Sequence, residues 1–203
     1  MRHAFRFPAS VRNAVRAHVR QAIEGVPLER FRQEPAHTAA VLGRLHGFEV
    51  ESDGAYVRIE ATNVDDRGDG AAEGWSGADL VITATVRRDA EEVRKAILVQ
   101  AKRGTLEDVK GKERERLAHQ VRDMCDYTRS PKVIVWGDGT ADSVRVLSGR
   151  GLLEGTMTDG YAIDDYFVCR VLPTLDGDTR PGFVASVQNS RLQGLRVFAT
   201  LNR

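Results

Sequence analysis

An acid, an amide and a lysine stand at the ends of two apolar segments that the sequence predicts to be neighbouring strands. Asp79 lies at the start of segment 78–86, and Gln100 and Lys102 lie at the end of segment 96–102. Carboxylate and amide oxygens are ligands that Mg²⁺ accepts, and a lysine beside them can neutralise a phosphate or help to deprotonate water. These residue types together could hold a divalent cation beside a bound anion.

A hairpin would bring these three residues to one place. Facing residues of an antiparallel pair have a constant index sum, and a charged turn of about nine residues, centred near 90–91, gives a sum of about 181. We therefore expect Asp79 opposite Lys102, with Gln100 one step along on the same face. An ordinary cross-strand ion pair between Asp79 and Lys102 at a sheet edge would explain the same pattern, so spacing alone leaves both interpretations open.

The two segments resemble the PD-(D/E)xK nuclease superfamily, in particular its restriction-endonuclease-like members of Mrr type, which carry Gln-x-Lys in place of Glu-x-Lys. The similarity lies in residues 77–82 (GADLVI) and 97–103 (ILVQAKR) and extends over about residues 28–136. It implies an α/β fold with a restriction-endonuclease-like core, in which a mixed central β-sheet is flanked by helices. Ala78 stands where the family usually has Pro, and Gln100 replaces a carboxylate, which removes one anionic ligand.

The resemblance also implies roles for individual residues. Asp79 would be the principal metal ligand, assisted by the amide oxygen of Gln100 and the backbone carbonyl of Ala101. Lys102 would orient or help to deprotonate the attacking water. Glu34, on a helix before the sheet, would bind the metal directly or through water. The expected cofactor is Mg²⁺, and Mn²⁺ would substitute for it.

Weaker candidates surround this group. Glu73 is either an additional metal ligand or a solvated loop acid. Gln120 and Tyr127, on the helix after the Lys102 strand, would support the metal ligands from behind. Candidate contacts to nucleic acid are Arg103, Lys110, Lys112, Arg12, Arg16 and Trp75. For Lys110, Lys112, Arg12 and Arg16 the other account is an ordinary solvated helix face, and the Trp75 ring would either stack on a base or pack under its loop.

Hydrophobic periodicity predicts the elements that position these residues. Helices are expected after Ser10, over 28–46 with the main helix starting at Pro35, and over 107–128. Besides the hairpin, short strands are expected at 48–50, 56–59, 133–136 and 144–147. Residues 161–172 fit either helix or strand, and 195–201 alternate weakly, as an edge strand would. The polar, Gly-rich residues 63–77 predict a loop.

Composition is typical of a globular protein without membrane-spanning segments. It has 203 residues, of which 41% are hydrophobic and 29% charged, and no run approaches the ~18 apolar residues of a membrane span. Two cysteines make no disulfide framework, and the N-terminus lacks an apolar signal core, so we expect a cytoplasmic location. We divide the chain into a basic N-terminal helix or arm (1–27), a nuclease-like core (28–150) and an extension (151–203) that completes the domain or contacts a partner.

The function expected from the resemblance is metal-dependent hydrolysis of DNA, in prokaryotic defence, restriction or DNA processing. No helix-turn-helix or zinc finger is visible, so a homodimer or a partner protein would supply target recognition. Two alternatives stay open. A catalytically degenerate nuclease fold, which Gln100 favours, would act as a nucleic-acid-binding or scaffold module. An RNA nuclease would use the same metal site on the other backbone.

Overall fold

The computed structural model describes residues 5–62, 76–156 and 159–202. The helices are α1 (Ala9–Glu24), α2 (Glu34–Leu45), α3 (Gly111–Tyr127), α4 (Gly149–Glu154), α5 (Ile163–Tyr166) and α6 (Pro181–Gln188), with a 3₁₀ turn at Leu28–Arg30 and a π-helical turn at Phe167–Val171. The strands are β1 (Phe48–Ser52), β2 (Ala55–Thr62), β3 (Leu80–Arg88), β4 (Glu91–Lys102), β5 (Lys132–Val135), β6 (Arg145–Ser148), β7 (Tyr161–Ala162) and β8 (Gln193–Leu201). No helix in these ranges is both long enough and apolar enough to cross a membrane.

All the named strands join one mixed sheet, in the order β1-β2-β8-β3-β4-β5-β6-β7. The pairs β3–β8 and β4–β5 are parallel, and the other neighbours are antiparallel. The parallel pair β4–β5 is connected by α3, as a parallel connection requires a crossover. The predicted α/β class, with a mixed central sheet flanked by helices, is confirmed.

Two apolar layers cover the two faces of the sheet. On one face α1, α2 and α5 pack on inward residues of the central strands, among them Ile82 and Val99. On the other face a smaller layer formed by α3, α4 and α6 covers residues such as Val81 and Leu98. The alternation of Val81 with Ile82 explains why β3 reads as a continuous apolar run, since both of its faces are buried there.

The C-terminal strand lies inside the sheet, and its prediction as an edge strand was wrong. β8 pairs with β2 on one side and with β3 on the other. Leu195, Val197 and Ala199 are buried in the larger core, whereas Arg196 and Phe198 point to the opposite face and are exposed. The weak alternation of the sequence therefore reflects a central strand with one open face, which local pattern cannot distinguish from an edge.

The β3–β4 hairpin is tighter than predicted. Arg88 pairs with Glu91, so the turn consists of Asp89 and Ala90 alone, and Asp89 adopts a left-handed φ of 53°. Ion pairs of Arg87 with Glu92 and of Arg88 with Glu91 extend the strands through the expected turn. The paired residue numbers consequently sum to 179, as for Leu80 with Val99.

The tighter register changes the neighbour of Asp79. The prediction that Asp79 faces Lys102 was wrong by two residues, because continuing the register beyond Leu80 brings Asp79 beside Gln100. The side chains still share one end of the hairpin, since Gln100 and Lys102 lie on the same face of β4.

The predicted helices have shifted starts. α1 begins at Ala9, one residue before the expected cap Ser10, whose hydroxyl instead donates to Asp53 at 2.5 Å. The segment before α3 is a turn, in which the Asp108 carboxylate accepts from Thr105 N at 2.8 Å, so α3 begins at Gly111. Residues 161–172 contain both states, since β7 is followed directly by helical turns.

Candidate functional site

β4 continues past the start of β3, so part of this edge of β4 pairs with no strand of the described residues. β3 begins at Leu80, opposite Val99, whereas β4 extends to Lys102. At this edge Asp79 Oδ2 accepts a hydrogen bond from the backbone N–H of Ala101, with an N–O distance of 2.7 Å. A side-chain carboxylate therefore takes the place of a strand carbonyl, and the backbone of β4 holds it in position.

A second carboxylate lies along the same edge. Glu34 Oε2 accepts from the backbone N–H of Arg103 at 2.8 Å, and Arg103 Nη1 donates to the carbonyl of Phe31 at 2.7 Å. Glu34 stands in the first turn of α2, where the partial positive charge of the helix start favours a carboxylate. Alternate N–H groups of a strand point the same way, so the two carboxylates are expected roughly 7 Å apart. This spacing suits a cation bound directly by one acid and through water by the other.

Gln100 lies between the carboxylate of Asp79 and the backbone of Ala101. Its side chain is 1% exposed, and its Nε2 donates to Asp79 Oδ2 and, at 3.2 Å, to the Ala101 carbonyl. Its Oε1 is buried and has no hydrogen-bond partner among the described residues. A half-turn of the amide would point Oε1 at the two oxygens that Nε2 now contacts.

The oxygen atoms around Gln100 form a ligand set for a hard cation. After that half-turn, a carboxylate oxygen, an amide oxygen and a backbone carbonyl oxygen would face one point, and these are the ligand types that Mg²⁺ and Mn²⁺ accept. In the present orientation Oε1 points away from these oxygens and has no partner among the described residues, so the half-turn would change an unsatisfied buried acceptor into a metal ligand. The residues present therefore fit the metal that the sequence predicts. Within the described ranges, no three His, Cys, Asp or Glu side chains group as a metal site, so backbone and amide oxygens are needed.

Lys102 contributes a positive charge to the same face of β4. It is 7% exposed, and no hydrogen bond or ion pair of its ammonium is found within residues 5–62, 76–156 and 159–202. Lysine is seldom buried to this degree without a partner, because desolvation of its charge is expensive. An anion bound beside Lys102 would supply the missing partner.

The segment that carries Asp79 is packed tightly against α3. Gly77 has a left-handed φ of +67°, and a Cβ added to it would collide with the backbone carbonyl of Gln120. Gln120 itself is buried, and its Oε1 has no partner in the described part of the chain. The structure thus places Gln120 behind the Asp79 segment, where the sequence predicted it; its support of the ligands stays a prediction.

An aromatic cluster that the sequence did not predict holds α2 in place. His37 is fully buried, with its ring edge-on to Phe31 and Trp136 and its Nε2 3.1 Å from the Val26 carbonyl. Burial lowers the pKa of His37, and the nearby charge of Arg103 lowers it further. His37 is therefore neutral at pH 7 and anchors the helix that begins at Glu34. The signal available in the sequence was a histidine one turn after Glu34.

Several other predicted site residues are elsewhere. Tyr127 is 39% exposed at the end of α3, seven residues and roughly 10 Å along the helix axis from Gln120. Arg16 forms an ion pair with Asp165 at 2.7 Å, and Arg12 lies one turn earlier on α1 with a buried Nε. Neither Tyr127 nor the α1 arginines join the Asp79 group.

The remaining candidates differ in how accessible they are. Arg103 is engaged through its backbone and its guanidinium, as described above. Lys110 and Lys112 are exposed at the start of α3. Glu73 and Trp75 lie outside the residues that the structure describes.

Comparisons of the chain with protein-family models, with curated proteins and with solved structures found no match.

Proposed function

We propose that this protein is a metal-dependent nuclease that hydrolyses DNA phosphodiester bonds and that its sheet is a restriction-endonuclease-like core. The observation that carries the proposal is the meeting of Asp79 Oδ2, the Gln100 amide and the Ala101 carbonyl at the open end of a hairpin, on the strand that also presents the buried Lys102. A group of oxygens on the same strand as an ammonium that has no partner among the described residues is suited to bind a cation and a phosphate side by side.

Four groups of the chain would hold the metal and its water. Asp79 and the Ala101 carbonyl would hold Mg²⁺ or Mn²⁺, and Gln100 would join them through Oε1 after its amide turns. The metal, when bound, would neutralise charge on the phosphate and make a bound water more acidic. Glu34, farther along the edge, would hold a water on the metal by accepting its hydrogen bond.

Lys102 would act on the substrate. Its ammonium would donate hydrogen bonds to a non-bridging phosphate oxygen and so position the phosphorus for attack by water. Because the ammonium is nearly buried, this contact would be strong, and it would offset the cost of removing the lysine charge from water. Lys110 and Lys112, exposed at the start of α3, are available for contacts to the DNA backbone.

The biological setting is proposed on the resemblance alone. It would be prokaryotic defence, restriction or DNA processing. One metal site cleaves one strand, so a homodimer, or a partner protein that also reads the target, would be needed for a double-strand cut.

Plasmid cleavage tests this function directly. Supercoiled DNA is incubated with the wild type, with Asp79→Asn and with Lys102→Met, in Mg²⁺, in Mn²⁺ and in EDTA. Asp142→Asn and Arg150→Met are matched controls, because both residues are exposed and belong neither to the Asp79 group nor to the proposed DNA contacts. We expect metal-dependent cleavage by the wild type and by both controls, and none by the two site variants. Cleavage that survives Asp79→Asn would refute the assignment.

A second function is favoured by one contact. The Gln100 Nε2 donor already satisfies Asp79 Oδ2, so the folded chain gives this carboxylate oxygen a hydrogen-bond partner without a cation. A protein with this arrangement could serve as a nucleic-acid-binding or scaffold module that has lost its chemistry. An inactive wild type whose Gln100→Glu variant cleaves DNA would establish this alternative. Labelled RNA in parallel reactions would identify an RNA nuclease.

A further inference from the structure

A groove opens on the sheet face beyond the end of α6, away from the Asp79 group. It has a volume of about 250 Å³ and is lined by Thr83 and Thr85 of β3, Arg196 and Phe198 of β8, and Gln188 and Asn189 at the end of α6. The strand register explains this lining, since Thr83 pairs with Arg196 and Thr85 with Phe198. Two paired strands therefore form the floor of the groove, and the end of α6 forms one side.

One arginine of this groove, Arg196, has no ion-pair partner among the described residues. The neighbouring arginines of the same face are engaged by glutamates: Arg58 by Glu49 and Glu60, and Arg87 and Arg94 by Glu92. Arg196 is exposed and forms no hydrogen bond or ion pair with any residue that the structure describes. Glu60, which faces Arg196 across the strand pair, is taken by Arg58. The guanidinium of Arg196 thus remains available to an external anion.

An aromatic ring stands next to this free charge. Phe198 is 40% exposed, two residues after Arg196 on the same face of β8. A solvent-exposed ring on a sheet, beside an unpaired arginine, is the arrangement on which proteins stack unpaired bases while a cation holds the adjoining phosphate. The Thr85 hydroxyl and the side-chain amides of Gln188 and Asn189 add hydrogen-bonding groups around the ring.

We propose that this groove binds a nucleotide unit of single-stranded nucleic acid, with the base on Phe198 and the phosphate on Arg196. The proposal deepens the proposed nuclease function and rests on it for the identity of the ligand. The groove and the Asp79 group lie on one face of the sheet: Thr83 pairs with Ala96, which is four residues before Gln100 on β4, or roughly 13 Å. Because α6 packs over the sheet between them, an unpaired strand held in the groove would pass around α6 to reach the site that would cut it.

Binding of a fluorescent oligo-dT strand to the full chain, measured by anisotropy in EDTA so that nothing is cleaved, tests the groove. The variants are Phe198→Ala, Phe198→Trp and Arg196→Ala, and Tyr161→Ala is the matched control because its ring is 43% exposed and lies at the opposite end of the sheet. We expect Phe198→Ala to weaken binding about tenfold, while Phe198→Trp and the control bind as the wild type does. Arg196→Ala should lower the salt dependence by about one phosphate contact.

A blunt duplex and an oligo-rU strand complete the experiment. Because paired bases cannot stack on the ring, Phe198→Ala should leave duplex binding unchanged, and the rU strand shows whether the groove also takes RNA. A wild type that does not bind the single strand, or a Phe198→Ala variant that binds it normally, would overturn the proposal.

The two proposals can fail separately. Asp79-dependent cleavage together with normal binding by Phe198→Ala would leave the nuclease and remove the groove. Phe198-dependent binding without any cleavage would leave the groove and remove the nuclease.

Discussion

Asp79 is held by the backbone of Ala101: its Oδ2 accepts a hydrogen bond from the Ala101 N–H at 2.7 Å. Asp79 lies just before the first residue of β3, where β4 extends beyond its partner strand. The hydrogen bond is charge-assisted and its donor belongs to a central strand, so the carboxylate is placed before any ligand arrives. A metal ligand fixed in this way loses little conformational freedom on binding, which favours affinity and precise placement.

Removal of the Asp79 charge should abolish cation binding without unfolding the chain. Asn at position 79 keeps the size of the side chain and can still accept from Ala101 N, but it removes the anionic ligand. We expect Mn²⁺ binding in calorimetry, in the absence of nucleic acid, to disappear in Asp79→Asn and to persist in Asp142→Asn. Equal Mn²⁺ affinity in Asp79→Asn and the wild type would exclude Asp79 as the principal ligand.

Gln100→Glu should lower the stability of the metal-free protein and raise its affinity for the metal. The variant loses the donor to Asp79 and sets two carboxylates side by side, which costs roughly 1–3 kcal/mol in the absence of a cation. A cation would relieve the repulsion, so millimolar Mn²⁺ should raise the melting temperature of the variant more than that of the wild type. Thermal melts in EDTA and in Mn²⁺ measure both effects, and an equal metal response in the two proteins would contradict the proposed ligand set.

Lys102→Met should separate activity from stability. Methionine fills a similar volume and removes a nearly buried charge for which the described residues offer no partner, so the free energy of unfolding should stay the same or rise. Cleavage should fall about a hundredfold or more, because one donor to the developing charge is lost. Denaturant titration and plasmid cleavage test the two expectations. A strongly destabilised variant would indicate that Lys102 has a structural partner instead.

Lys95 should make the fold more stable as the pH rises. It is 0% exposed on β4, its Nζ donates to the Arg170 carbonyl at 3.0 Å, and burial lowers its pKa from 10.5 to about 7. Asp176 raises this pKa, while Arg170 and Lys132 lower it. Between pH 7 and 10.5 the unfolded chain holds a proton that the folded chain does not, so stability increases with pH in that window.

The measurement compares the wild type with Lys95→Met. The free energy of unfolding of the wild type should rise between pH 7 and pH 10 by roughly 1 kcal/mol per unit more than that of the variant, since one proton accounts for at most about 1.4 kcal/mol per unit. Lys112→Met, an exposed lysine, should keep the slope of the wild type. Parallel slopes in the wild type and Lys95→Met would mean that Lys95 keeps its ordinary pKa.

Gly77→Ala should disturb the Asp79 segment through α3. The new Cβ would meet the Gln120 carbonyl, and the left-handed backbone at position 77 adds about 1–2 kcal/mol of strain. We expect a loss of more than 2 kcal/mol of stability, roughly, and weaker Mn²⁺ binding. Gly43→Ala is the matched control, because a Cβ there meets nothing within 4 Å in the interior of α2, and it should stabilise by about 0.5–1 kcal/mol. Chemical denaturation of both variants decides the matter.

The sequence alone predicted most of the elements and brought the candidate site residues to one end of the hairpin. Helical periodicity located α1, α2 and α3, and the two apolar segments of the hairpin brought Asp79, Gln100 and Lys102 to one end of a strand pair. These inferences succeeded because they depend on contacts between residues that are close along the chain. The predicted turn was too long, because the charged residues on either side of Asp89 form ion pairs across the two strands and so belong to the strands and not to the turn. That error moved the expected partner of Asp79 by two residues.

Tertiary structure decided what pairs across long separations. β8, from the C-terminal end of the chain, enters the sheet between β2 and β3. No local sequence pattern identifies these two strands as its neighbours. The same insertion buries one face of β8 and leaves the Arg196–Phe198 face open. The contact of Glu34 with Arg103, and the burial of Lys95 against Arg170, likewise join residues about 70 positions apart. A one-dimensional pattern records which residues avoid water, but only the packed sheet determines which strand, charge or carbonyl meets them there.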